Sequence, residues 1–95
     1  MIEKDEKMTT IWKYELGEVD NQVISIPEGY ELLSVQVQNG VLCLWAKVEP
    51  KNNREELEII IHGTGHNAND VECGKFIGTF QLYGGSFVGH VFALC

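Results

Sequence analysis

The Asn39-Gly40 dipeptide, which lies between two runs of alternating residues, constrains the fold of this chain more than any other feature. Polar and apolar residues alternate over 30–38 and again over 41–48. A type I′ turn needs a positive φ at both central positions, and Asn followed by Gly meets that need best. The pattern therefore predicts an antiparallel hairpin built from these two segments.

The alternation also predicts which side chains of the hairpin face the core. On the first strand we expect Leu33, Val35 and Val37 to point inward. On the returning strand we expect the same of Leu42, Leu44, Ala46 and Val48, with Cys43, Trp45 and Lys47 on the opposite face.

Five further short segments with strand character are separated by turn signals such as Pro27-Glu28-Gly29 and Gly84-Gly85. They are residues 9–16, 22–26, 57–62, 75–83 and 86–94. In segment 75–83 we expect Phe76, Phe80 and Leu82 to point inward. No segment has convincing helical periodicity. About seven short strands at regular spacing predict an all-β fold, a small antiparallel β-sandwich or a partly closed barrel.

The 95 residues are enough for one small domain. Residues 1–8 are predicted to form a disordered polar tail and residues 9–95 a single β domain. Because such a domain has a thin core and exposed strand edges, we expect a homo-oligomer with a ligand pocket at the subunit interface.

The charge balance argues against one class of partner. Fourteen acidic against seven basic side chains give a net charge of −7. Direct nucleic-acid binding is not expected, because contact with phosphates needs clustered Lys and Arg. No signal peptide and no apolar run long enough for a membrane span is evident, and the three cysteines form no CxxC pair. We therefore expect a cytoplasmic protein with free thiols and no membrane contact.

The loop His62-Gly63-Thr64-Gly65-His66 follows an apolar strand and concentrates functional side chains. One interpretation is a tight turn that leaves the strand. The other is a ligand site, in which the glycine backbone cradles an anion and Lys75 adds positive charge. The candidate ligand-binding residues are His62, Thr64, Gly65, His66 and Lys75, with Trp45 and Tyr83 as stacking surfaces.

The same loop and its neighbours contain side chains that could bind a metal ion or form a nucleophile pair. The side chains of His62, His66, His90, Asp70 and Cys73 are of the types that bind zinc, but their spacing matches no zinc framework. A Cys73–His66 nucleophile pair has no evident orienting residue or oxyanion hole. We therefore expect no metal, no cofactor and no enzyme activity. His90, which alternates with apolar residues, is predicted to be a hydrogen-bonded core histidine.

The C-terminal segment is rich in glycine and phenylalanine. The residues are Gly78, Gly84, Gly85 and Gly89 beside Phe76, Phe80, Phe87 and Phe92. Glycine within a strand often marks a place where a large side chain packs across it. The pattern thus favours phenyl rings that pack over glycine, and the alternative is a concave glycine-lined face for a flat ligand.

Six blocks in order resemble a family of small bacteriophage-encoded proteins known as a domain of unknown function. They are residues 11–16, 33–40, 42–46, 63–66, 77–80 and 90–92, and the resemblance covers residues 9–94. It implies a phage or prophage origin and a single all-β domain. It implies no catalytic residues.

A phage origin would make this chain an accessory binding protein that counters host defence in the host cytoplasm. It would act by sequestering a small nucleotide-like signal or by blocking a host defence protein, and the negative net charge fits a basic protein better. The alternative is a minor virion protein, an accessory structural component of the capsid or tail.

Overall fold

The computed structural model describes residues 8–71 and 74–94, so the predicted tail, apart from Met8, lies outside the described residues. Seven strands follow one another: β1 Thr10–Glu15, β2 Asn21–Pro27, β3 Glu31–Gln38, β4 Val41–Val48, β5 Arg54–Gly63, β6 Lys75–Leu82 and β7 Phe87–Ala93. Two short 3₁₀ turns, Asn69–Val71 and Tyr83–Gly85, are the helical segments of this described part. The all-β prediction is confirmed. The same residues contain no helix with the length and apolar character that crossing a membrane requires.

The strands form two antiparallel sheets that pack face to face. One has the order β1-β4-β3 and the other the order β2-β5-β7-β6. At one side the edges of β3 and β6 approach so closely that a Cβ on Gly78 would lie 2.8 Å from Val35 Cγ2. No ladder joins the sheets within residues 8–71 and 74–94. Of the two predicted architectures, the molecule is therefore an open β-sandwich.

The predicted hairpin is confirmed, together with the buried face of its second strand. Asn39 and Gly40 have φ values of 52° and 80°, as a type I′ turn requires. The four predicted inward side chains of β4 are at most 2% exposed. They belong to a core between the sheets that also contains Ile24, Ile26, Val35, Leu57, Ile59, Ile61, Phe80, Leu82 and Val91.

Two predicted core positions are wrong. A register shift between Leu32 and Ser34 leaves Leu33 42% exposed. A second shift near Gly78 leaves Phe76 54% exposed. An extra residue in one strand reverses the alternation on either side of it, so Leu32 and Ile77 pack against the core instead.

The packing interpretation of the glycine- and phenylalanine-rich segment is confirmed at Gly89. A Cβ at this position would lie 2.5 Å from Cζ of Phe80 and 2.9 Å from Cε2 of Phe87. The two rings also contact each other, with centroids 5.9 Å apart. Phenyl rings thus occupy the space that a concave face for a flat ligand would need.

Candidate functional site

Two histidines lie side by side on the outer face of the four-stranded sheet. His62 of β5 is the register partner of His90 of β7. The imidazole of His90 bridges two hydroxyls, with Nε2 2.7 Å from Thr64 Oγ1 and Nδ1 2.9 Å from Thr79 Oγ1. When the ring is neutral, one hydroxyl donates to it and the other accepts from it.

The predicted hydrogen bonding of His90 is confirmed, but its predicted location in the core is wrong. On β7 the buried positions belong to Gly89, Val91 and Ala93, so the side chain between them points outward. His90 is half-buried there.

His62 anchors the following loop to the same outer face. Its Nε2 lies 2.7 Å from Asp70 Oδ1, and its ring meets that of Phe92 edge-on at 6.5 Å. Ile60 and Val71 are buried although neither belongs to the core between the sheets. Residues 64–71, which we call the strap, therefore fold back over this face and cover a small second apolar cluster.

The second histidine of the loop lies on the other side of β5. A Cβ at Gly63, which would point toward the core, would meet His66 Cε1 at 2.9 Å and Phe87 Cε1 at 3.2 Å. The His66 ring therefore lies beside Phe87, whereas His62 points outward. The turn between them closes through a bond from the His66 N–H to the Gly63 carbonyl, 3.1 Å long.

Of the side chains that were considered for metal binding, His66 lies on the other side of β5 from His62, Asp70 and His90. No group of three or more His, Cys, Asp or Glu residues suited to a metal ion occurs within 8–71 and 74–94. Cys73, one member of the Cys73–His66 pair that the sequence did not favour as a nucleophile site, lies outside the described residues.

The structure does not bring the other candidate residues together. Lys75 pairs with Ala93, whereas Gly63, which opens the glycine turn, pairs with Gly89. Four residues along β7 correspond to about 14 Å, which places Lys75 away from the turn. Trp45 lies on the outer face of the three-stranded sheet, on the opposite side of the sandwich.

A cleft opens at the end of the sandwich where the turn after β1 meets the 3₁₀ turn after β6. Its volume is about 250 Å³. Its lining consists of Glu18, Val19, Asp20, Ile61, Phe80, Leu82, Tyr83 and Phe87. Of the candidate site residues, Tyr83 alone belongs to this lining.

The rim of this loop-end cleft combines an aromatic ring with carboxylates. Tyr83 is 69% exposed and has a φ of 54°, a left-handed conformation that side chains other than glycine seldom adopt. Its hydroxyl donates a hydrogen bond to Glu18, and this bond to a carboxylate raises the pKa of Tyr83 above its usual value. Asp20 adds a second acid beside it.

Apolar walls below a negative rim suit a ligand with an apolar stem and a positive end. They disfavour phosphate, because like charges repel. Sequence reasoning missed Glu18 and Asp20, which belong to what reads as an ordinary turn. The one local signal was a tyrosine placed before Gly84-Gly85, where the chain turns with positive φ.

A family model described as Domain of unknown function (DUF7352) matches residues 8–94. The chain belongs to this family. The match spans all seven strands, so the strap and the loop-end cleft are both within the DUF7352 domain. No curated protein and no solved structure matched the chain. The function is therefore argued from the geometry of the site.

Proposed function

We propose that this DUF7352 protein is a non-enzymatic binding protein whose loop-end cleft receives a basic side chain of a protein partner. The observation that carries the proposal is the apolar cleft with Glu18 and Asp20 at its rim. The resemblance to phage proteins supports a host defence protein as the partner, blocked by this contact in the host cytoplasm.

The stem of an arginine or lysine side chain packs well against apolar walls while its charged end stays near carboxylates. Tyr83, exposed at the rim, offers a ring face that attracts a cation. The net charge of −7 steers a basic surface toward the molecule.

A small nucleotide signal is the less favoured ligand. A phosphate in the cleft would face the carboxylates of Glu18 and Asp20. Lys75 cannot offset them, because it begins β6 whereas the cleft lies at the other end of that strand. Sequestration of a nucleotide is therefore an outcome that the test must be able to reveal.

A virion accessory role is a second proposal, favoured by the outer edge of β1, to which no strand pairs within the described residues. Small sandwiches assemble through such edges. This role predicts that the protein co-purifies with particles in a fixed ratio, and its absence from washed particles would exclude it.

The first test is an NMR titration with three probes: the peptide Gly-Arg-Gly, its glutamate counterpart Gly-Glu-Gly, and adenosine monophosphate. We expect the arginine peptide to shift the amide signals of Ile61, Phe80 and Tyr83, and the other two probes to leave them unchanged. Glu18→Gln combined with Asp20→Asn should abolish the shifts. Glu28→Gln, an exposed acid at the opposite end of the sandwich, is the matched control.

Stronger binding of the nucleotide than of the arginine peptide would overturn the proposal. So would arginine-peptide shifts that survive the double substitution. In infected cells that carry a defence system, the wild-type protein and the Glu28→Gln control should both raise phage yield, whereas the double variant should not.

A further inference from the structure

Strand β1 pairs with β4 along one side, and within residues 8–71 and 74–94 no strand pairs with its other side. The N–H of Leu16 donates to the Leu42 carbonyl at 2.8 Å, so Leu16 directs its backbone groups toward β4. In an antiparallel ladder this direction alternates from residue to residue. The N–H and C=O groups of Ile11, Lys13 and Glu15 therefore point away from the sheet, and we call this row the β1 edge.

The β1 edge has a defined end. The side-chain amide of Gln22 accepts from the Gly17 N–H and donates to the Gly17 carbonyl, both at 2.9 Å. Gln22 thus occupies the backbone groups of Gly17. The row that is left for a partner is Ile11, Lys13 and Glu15.

We propose that two copies of this chain pair their β1 edges antiparallel, about a two-fold axis at Tyr14. The two three-stranded sheets then become one continuous six-stranded sheet. In this register Lys13 lies opposite Glu15 of the second copy, and each such pair exchanges two N–H···O bonds. The inference is independent of the proposed ligand of the cleft.

Charge selects this register. Lys13 and Glu15 both lie on the outer face of β1, where cross-strand neighbours interact directly. With the axis at Tyr14, two Lys–Glu pairs form. An axis at Lys13 would instead place the two ammonium groups opposite each other, which is unfavourable.

Tyr14 itself lies on the axis. At a position without hydrogen bonds between the two residues, the two Cβ atoms are about 5 Å apart. The Tyr14 hydroxyl is already covered by its own protomer, so the register is set by the backbone groups of the β1 edge and by the two Lys–Glu pairs.

The other edges are less suited to self-pairing. The edges of β3 and β6 face each other at the contact of Gly78 with Val35. The free side of β2 ends at Pro27, which has no N–H to donate.

The test is sedimentation equilibrium of the full chain over a concentration series, in which the wild-type protein should show a monomer–dimer equilibrium. Lys13→Glu and Glu15→Lys should each weaken the dimer at least tenfold, because like charges then face each other. The double variant Lys13→Glu/Glu15→Lys should restore affinity to within threefold of wild type. Lys13 also donates to Gln38 at 2.8 Å, so Gln38→Ala is the matched control and should leave dimerisation unchanged.

Lys13→Pro provides a second measurement. The Lys13 N–H points away from β4, so this substitution should leave the β1–β4 ladder and the circular dichroism spectrum intact and still abolish the dimer. A monomer at every concentration overturns the proposal, and so does a dimer that persists in a folded Lys13→Pro variant. A charge-swapped double variant no tighter than the single variants overturns the register.

Discussion

The hydroxyl of Tyr83 donates a hydrogen bond to the carboxylate of Glu18, which joins turns 65 residues apart at the rim of the cleft. The bond raises the pKa of Tyr83, and burial raises the pKa of Tyr14 and Tyr30. A tyrosine whose pKa is raised on folding contributes stability that is fully present below the pKa of the unfolded state, which is about 10. This stability is lost as the pH rises through the pKa of the folded state.

We expect the absorbance titration of native tyrosinate to have its midpoint above that of the protein in denaturant. Glu18→Gln should move one of the three phenols, Tyr83, back toward the ordinary value. Glu28→Gln should leave the titration unchanged. A native curve that overlays the denatured one would contradict the contact.

The phenyl ring of Phe80 leaves no room for a side chain at Gly89. Gly89→Ala should therefore lower the free energy of unfolding by about 1–3 kcal/mol, because the core must shift to accept a methyl group. Gly17→Ala is the matched control, since its nearest neighbour would be at an ordinary 3.8 Å. Urea unfolding measures both, and the control should change by less than about 1 kcal/mol. Equal effects would show that Gly89 is not tightly enclosed.

The strap depends on the contact between His62 and Asp70. Asp70→Ala should lower the stability by about 0.5–1.5 kcal/mol, the usual net value of one hydrogen bond. Amide hydrogen exchange should accelerate within residues 64–71, with little change in the core strands. Glu56→Ala, another exposed acid, is the control. If the exchange of Val71 is as slow as in wild type, other contacts hold the strap.

Cys43 is 1% exposed although it lies on the outer face of β4. The bond from Lys13 to Gln38 passes from β1 to β3 across the same face. In the variant Cys73→Ser/Cys95→Ser, the remaining thiol should react with a disulfide reagent about 10³-fold or more slowly than in denaturant, because the chain must open first. A rate close to that in denaturant would show that the thiol is accessible in the folded protein.

Alternation predicted β4 correctly because β4 is the central strand of its sheet, so one complete face of it is buried. It failed at Leu33 and Phe76 because a bulge adds one residue, and hydropathy alone does not reveal the addition. At the second bulge, Gly78 was the residue that could have indicated it, because glycine within a strand often marks a bulge.

The loop of His62 to His66 was recognisable by composition, but its geometry was not. Adjacent strand residues point to opposite faces, so His62 points outward while Gly63 faces inward and receives the ring of His66. The loop-end cleft was even harder to recognise from the sequence. Glu18 and Tyr83 are distant in the chain, and only the sheet topology brings them together.

The contact of Gly78 with Val35 seats the two sheets against each other along one side. Residues 16–20 connect β1 to β2 and so tie the two sheets together along the other side. Glu18 lies in this connection, and its bond with Tyr83 fastens the connection to the end of β6. A basic side chain that binds Glu18 would therefore compete with the Tyr83 hydroxyl for the same carboxylate.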